Sequence, residues 1–376
     1  MRVCDPLVPQ LAETFDVSTG HAAQTITAFA LAYGLLQLVY GALGDRYGKF
    51  ILMIIAAFLC AVVSIGSALA PSMSWLVALR AIAGATAAGI IPLSMAWLGD
   101  AVPYEERQTA LARMLSGTVL GLMAGQALGG IFADTLGWRW VFVLLAGLFL
   151  AIGCGLLSEL RRSSLARGNP VAGKRNMLAG IGLVLSIPWA RTILLIVFLE
   201  GMMVFGALAF FPTYLHHRHD LPLSSAGALV ALFGAGGLLY AVAVTRMLAS
   251  LREQGIALAG GIALGASMVW LLVSPSWALA GGAILLAGLG FYMLHNTLQT
   301  NATQMAPEAR GVALAVFASA LFFGQSAGIG AAGLLFDHAG PAPLFALAAM
   351  TLPVIGYGFS RALINRNARG AAGADR

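Results

Sequence analysis

The chain has 376 residues, 60% of them hydrophobic and only 10% charged, with a mean hydropathy of +0.88. Soluble domains carry about 25% charged residues, so a soluble enzyme or binding module is excluded and an integral membrane protein remains. The net charge of +6 is spread over short loops, which excludes a nucleic-acid surface, and Cys4, Cys60 and Cys154 have neither disulfide nor metal spacing.

Apolar runs of the roughly 20 residues that a helix needs to cross a bilayer are predicted at 19–42, 50–70, 74–98, 109–133, 139–158, 190–213, 224–248, 255–273, 277–302, 311–335 and 341–363. These make about eleven spans of an all-α polytopic membrane protein. Pro71, Pro103, Pro275, Pro307 and the Gly340-Pro341 pair punctuate them. The long polar interval, 159–189, holds Arg161, Arg162, Arg167, Lys174 and Arg175. It reads as a linker, with its apolar part (178–187) expected along the membrane surface. The chain thus divides into an N-terminal half, 1–160, a cytoplasmic linker, 161–189, and a C-terminal half, 190–376.

Basic residues fall on alternate loops: Arg46, Lys49, Arg107, Arg113, the linker cluster, Arg246, Arg252, Arg310 and the C-terminal arginines. The opposite loops hold little beyond Arg139 and Arg218. By the positive-inside rule the first set is cytoplasmic, together with the C-terminus.

An internal repeat runs through the chain. Pro103-Tyr-Glu-Glu-Arg107-Gln-Thr-Ala110-Leu111 is echoed by Pro307-Glu-Ala-Arg310-Gly-Val-Ala313-Leu314. Gly125-Gln126, Phe132, Asp134, Gly137 and Phe142 return as Gly324-Gln325, Phe336, Asp337, Gly340 and Phe345. An offset of about 200 residues implies two parallel six-helix half-repeats. A full span precedes Pro212, whereas only Met1–Asp5 precede its equivalent, Pro6. The first helix is therefore expected to be largely missing. Either the start is internal and about 15–20 residues short of a span, or the chain is an eleven-helix protein with its N-terminus outside.

Between the first two long runs lies a charged turn, Gly41-Ala-Leu-Gly-Asp45-Arg46-Tyr-Gly48-Lys49-Phe50. Its pattern, Gly41-x-Leu43-x-Asp45-Arg46-x-Gly48-Lys49, resembles the signature loop between helices 2 and 3 of the major facilitator superfamily. Arg80-x-x-x-Gly84 resembles that family's fourth-helix motif. Gly121-x-x-x-Gly125-Gln126-x-x-Gly129-Gly130 is similar to the fifth-helix motif of its drug/proton antiporters, with Gln126 where proline is usual. Bacterial arabinose-efflux-like and drug-efflux permeases are the nearest resemblance. It implies a contact of Asp45 with the opposite half, made only in the outward-facing state, and a proton-transfer role for Arg80.

The residues themselves suggest where chemistry could reside. Asp45 and Arg46 are either a solvated loop that fixes topology or a latch, since a carboxylate beside glycines can approach the positive end of another helix. Glu200 lies mid-span among Phe198, Leu199, Gly201, Met202 and Met203. A charge there costs about 2.5–3.5 kcal/mol, so Glu200 is either a structural acid or a proton-coupling or cation-recognising carboxylate. Arg80 is too deep for a loop; it either snorkels or faces a cavity. His295, Gln299 and Thr303 follow at i, i+4 and i+8 with Asn296 and Thr300 beside them, a polar face that lines water or meets lipid. Gln37 and Gln126 are further cavity candidates, and Gln325 repeats Gln126. Gly117, Gly121, Gly125 and Gly129 form a stripe suited to close helix packing. The run His216-His217-Arg218-His219 reads as a solvated loop or a weak metal site, and no metal is expected.

No phosphate loop, nucleophilic triad or metal cluster appears, so no enzyme activity and no cofactor are expected. The reading is a multi-pass, monomeric transporter of the bacterial inner membrane, working by alternating access on a small-molecule substrate, protons and the lipid bilayer being its other partners. Proton-coupled efflux of a small organic molecule or drug is favoured. Uptake of a sugar or organic acid, by symport or facilitated diffusion, and a non-transporting sensor or scaffold are the alternatives.

Overall fold

In an apolar solvent each peptide group must be satisfied within its own segment, so long apolar runs can fold only as helices. The computed structural model describes residues 2–162 and 177–374. A 3-10 turn, Arg2–Cys4, precedes α1 (Val8–Phe15), α2 (Thr19–Tyr47), α3 (Lys49–Ala68), α4 (Met73–Ala87) and α5 (Ile90–Ala101). Then come α6 (Tyr104–Asp134), α7 (Trp138–Arg162), α8 (Met177–Ser186) and α9 (Pro188–Glu200). A π turn, Gly201–Phe205, leads into α10 (Gly206–Leu208), α11 (Phe211–His219), α12 (Leu223–Val273), α13 (Trp277–Ala302), α14 (Arg310–Ala339) and α15 (Pro341–Ala374).

Among the described residues 10 helical stretches are long and apolar enough to cross a membrane, with α4–α5 forming one stretch and α9–α11 another. One of them, α12, is broken at Arg252 (φ 56°, ψ 175°), so its 51 residues cross twice. That agrees with the eleven spans expected. The segment before α2 packs within the bundle, Arg2–Val8 being all buried. Its helix α1 ends at Asp16 (φ 51°) as α11 ends at Asp220 (φ 49°), so α1 is the repeat counterpart of α11. The charged turn is also mostly helix, because α2 runs through Tyr47 and only Gly48 (φ 93°) leaves the helical region. A side chain at that angle would be strained.

Of the linker, Arg161 and Arg162 close α7, while Arg167, Lys174 and Arg175 lie outside the described residues. Its apolar part forms α8, which exposes Leu178 and seats Gly180 against Val312 of α14.

Glycine sets the packing. The backbone of α4 rests at Gly84 on the carbonyl of Phe29, and at the equivalent place in the second half Gly288 of α13 rests on the carbonyl of Phe233. The same exchange relates the halves to each other: α2 packs on α14, and α6 on the first part of α12. Both seams are tight at the end of the bundle away from the basic loops. There Gly20 lies against Gly333, and Gly130 against Leu223 and Ser224. The contacts continue inward to Gly34 against Phe322 and Gly234 against Met123. Toward the basic loops they cease, since Gly41, Gly117 and Gly121 have nothing within 4 Å of where a side chain would begin. Leu115, Ser116, Gly117 and Thr118 of α6 are exposed in succession. The bundle is closed at its far end and open at its basic end.

This difference is testable with one substitution type. Gly130→Ala should cost about 1–3 kcal/mol by overpacking against the Leu223 carbonyl, whereas Gly117→Ala should be neutral or gain about 0.4–1 kcal/mol from the unfolded state. Thermal midpoints of the two purified variants by fluorescence-detected size exclusion check this; equal losses would refute the seam.

Candidate functional site

The last residue of α9, Glu200, is fully buried (0% exposed) because glycines let α9 and the π turn lie backbone-to-backbone on α14. Gly201 meets the carbonyl of Leu321, Gly324 that of Phe198 and Gly328 that of Met202. The Glu200 carboxyl group is thereby held toward α13, where its Oε2 is 2.9 Å from Nδ1 of His295. Whichever partner carries the proton donates it to the other. The imidazole stacks on Phe291 (4.9 Å, 15°) and lies 5.6 Å from Phe317. Oε1 of Glu200 is buried with no hydrogen-bond partner among the described residues. A π turn directly after an acid is a costly irregularity, of a kind concentrated at functional positions.

A second charged cluster sits in the first half. Asp5 (0% exposed) is paired with Arg2 (5%) at 3.0 Å, and Nε2 of Gln126 donates to the same Asp5 oxygen at 2.9 Å. The Arg2 guanidinium also lies over the ring of Phe205, 4.3 Å from its centroid, at the end of the π turn in the other half. Phe205 packs edge-on against Phe291 at 5.2 Å. A continuous path therefore runs from Gln126 through Asp5, Arg2, Phe205, Phe291 and His295 to Glu200. Beside it, at the seam of α6 and α12, lies a small apolar recess lined by Leu122, Met123, Gln126, Leu208, Val230 and Phe233.

The predicted residues divide accordingly. Glu200, His295 and Gln126 come together along this path. Arg80 does not join it: its guanidinium lies over Phe29 at 4.4 Å and near Phe142 at 5.9 Å, and Nε and Nη2 are buried without hydrogen-bond partners among the described residues. The polar face of α13 is split, since His295 turns to Glu200 while Gln299 and Thr300 stay exposed and Asn296 is half-buried. Gln37 is buried on α2 and Gln325 on α14. In the loop motif Gly41 is exposed and Gly44 abuts Leu93. Asp45 lies 3.9 Å from Lys49, which is also bonded to Asp100, and Arg46 covers the ring of Tyr47. All these partners belong to the first half.

The glycine stripe packs only at one end, with Gly129 against the carbonyl of Val3 and Gly125 3.6 Å from its nitrogen, while Gly117 and Gly121 face open space. His216 bonds the Leu221 carbonyl at 2.6 Å, and no group of three or more potential metal ligands occurs among the described residues.

Sequence reasoning missed Arg2 and Asp5 because the segment was read as the stub of an absent helix. The signal was present: matching Pro6 to Pro212 sets Asp5 at membrane depth, where an acid three residues from a base is unusual. It also missed Asn301, which accepts from Arg366 at 3.0 Å and donates to Glu253 at 3.4 Å, with Arg366 over Trp189.

Comparison with known proteins agrees with this architecture. The sequence model of the Major Facilitator Superfamily matches residues 2–329. The chain is 27% identical over 350 residues to the uncharacterized MFS-type transporter YceJ of Bacillus subtilis, covering 88% of this chain and 84% of that one. It is 32% identical over 151 residues to the multi-drug resistance efflux pump PmrA of Streptococcus pneumoniae, 39% of this chain and 38% of that one. Among solved structures the nucleoside transporter NupG superposes with a TM-score of 0.75 at 12% identity, covering 95% of this chain and 92% of that one. The chain therefore belongs to the Major Facilitator Superfamily, a family of transporters, and is not an enzyme.

Proposed function

We propose that the protein exports a small organic molecule in exchange for protons, with Glu200 and Asp5 as the proton-exchanging groups. The observation that carries this is one fully buried carboxyl group in each half, the two joined through Arg2, Phe205, Phe291 and His295. Buried acids are expensive in a membrane and are placed where ions or protons move. A carboxyl group flanked by aromatic rings also suits an organic cation, which can use both its charge and its faces. Partial likeness to the efflux pump PmrA supports the outward direction. The basic loops would face the cytoplasm, which makes this conformation the inward-facing one. In it the Asp45 loop is free of the opposite half, as a latch made only in the outward-facing state requires. Gln126 favours a second reading, symport: it stands where the antiporter motif has proline and is bonded to Asp5.

Everted vesicles holding an acid lumen separate the readings, with ethidium as the first probe in a panel of organic cations. Exchange raises lumenal pH on adding the dye, symport lowers it, and a non-transporting protein leaves it unchanged. Glu200→Gln should reduce the proton response about tenfold or more, the size of a 1–3 kcal/mol coupling, with insertion intact; unchanged flux rejects Glu200 as the coupling acid.

Asp5→Asn leaves Arg2 buried without its counter-charge and should cost about 3–5 kcal/mol. Arg2→Gln/Asp5→Asn should regain much of that stability without regaining coupling. If melting of the two variants coincides, the pair is not what holds this segment. Asp45→Asn should slow turnover while the protein still inserts, and a wild-type transport rate would remove the latch.

A further inference from the structure

The repeat carries Gly130-x-x-x-Asp134 at the end of α6 and Gly333-x-x-x-Asp337 at the end of α14, positions to which the path through Glu200 assigns nothing. In each, glycine and aspartate are one turn apart on the same face, and both faces lie on the seam between halves. Leu223 N–H donates to Oδ1 of Asp134 at 3.1 Å and Ser224 N–H to Oδ2 at 2.7 Å. In the mirror position Gly20 N–H donates to Oδ1 of Asp337 at 2.9 Å. These N–H groups open α12 and α2, so each carboxylate caps the first turn of a helix in the opposite half. The first N–H groups of a helix have no partner within it and carry its positive end. α12 has no side-chain cap of its own, because Pro222 stands at the capping position. α2 has one, as Ser18 accepts from His21. The glycines bring the carboxylates within reach: a side chain at Gly130 would strike the carbonyl of Leu223, and one at Gly333 would lie 2.8 Å from the Cα of Gly20.

We infer that Asp134 and Asp337 are paired gate residues which, by capping α12 and α2 from the opposite half, hold the far end closed and set the balance between the two states of the transport cycle. Separation of the halves at this end uncaps both helices, so the two clamps favour the conformation seen here over the one open at the far end. They are unequal. Asp134 satisfies two N–H groups of a helix lacking any other cap, whereas Asp337 satisfies one in a helix that Ser18 also caps. The asparagine variants keep one acceptor but lose the charge, and at Asp134 the amide group faces an N–H.

The inference rests on alternating access, and distance measurement separates its failure from that of the transport reading. On a Cys154→Ser background, with Cys4 and Cys60 buried, spin labels at Leu69→Cys and Val273→Cys report the far end. Labels at Tyr47→Cys and Leu251→Cys report the basic end, all four positions being exposed. In lipid nanodiscs the Asp134→Asn/Asp337→Asn protein should move about tenfold in population toward longer far-end and shorter basic-end distances. Asp134→Asn alone should give the larger part. An unchanged ratio overturns the inference, and so does lengthening at both ends together, which reports loosening. If the double variant is not recovered as a monodisperse protein, the single variants carry the same readout, each with a several-fold shift and in that order. A shift without vesicle transport would sink the transport reading alone, and transport without a shift would sink the clamps alone.

Discussion

A charge or an unpaired N–H inside this bundle has no bulk water to turn to, so its partner must come from the protein. Most of what distinguishes the chain from a generic set of apolar helices follows from that constraint. Glu200 turns to His295, and Asp5 to Arg2 and Gln126, while at the exposed far end the open first turns of α12 and α2 take Asp134 and Asp337. His295 and Gln126 come from other elements, Arg2 from the same segment as Asp5, and for the two capped helices the partner comes from the other half. Arg80 has no carboxylate partner among the described residues, and aromatic faces shield it instead.

Glycine makes these meetings possible. Hydrophobic burial gives helices no reason to associate in lipid, and close backbone approach takes its place. The pairs Gly84–Phe29 and Gly288–Phe233 fix each half internally, while Gly20–Gly333 and Gly130–Leu223 join the halves. A seam that must open and close cannot be as deep as one that never moves. Buried, fully paired charges cost several kcal/mol to separate, whereas a carboxylate at an exposed helix end contributes about 0.3–1 kcal/mol. The far end uses the second kind of contact, which leaves two states close enough in energy to exchange.

How much of this was legible in the sequence depends on the length of the pattern. The spans were readable because 20 apolar residues leave few alternatives, and even the break at Arg252 was marked by the charges around it. The closeness of Glu200 was readable as an acid at membrane depth, but its partner was not. His295 lies 95 positions away, and its spacing with Gln299 suggested a face shared with water. Asp5 was hidden because local hydropathy around Met1–Asp5 is too short to signal a span. That Gly117 and Gly121 are unpacked here was not legible for another reason. A glycine stripe states that close approach is permitted, while the conformation decides which part of the stripe is in use.

The asymmetry of the two ends says how the halves can move. At the far end both halves carry the Gly-x-x-x-Asp device, so closure there is two-fold. At the basic end the first half carries Gly41–Phe50, free of the second half, and its counterpart around Arg246–Glu253 has a different construction. There Glu253, Asn301, Arg366 and Trp189 tie α12, α13, α15 and α9 to one another. The second half is thereby braced within itself and carries Glu200 and His295 as a unit. Along the path between the two acids, only the contact of Arg2 with Phe205 crosses from one half to the other. Any rocking of the halves must remake that contact, whereas the pairs on either side of it can travel unchanged. Coupling between two sites requires an element with two arrangements that both sites bias, and Arg2 over Phe205 is where the path supplies one.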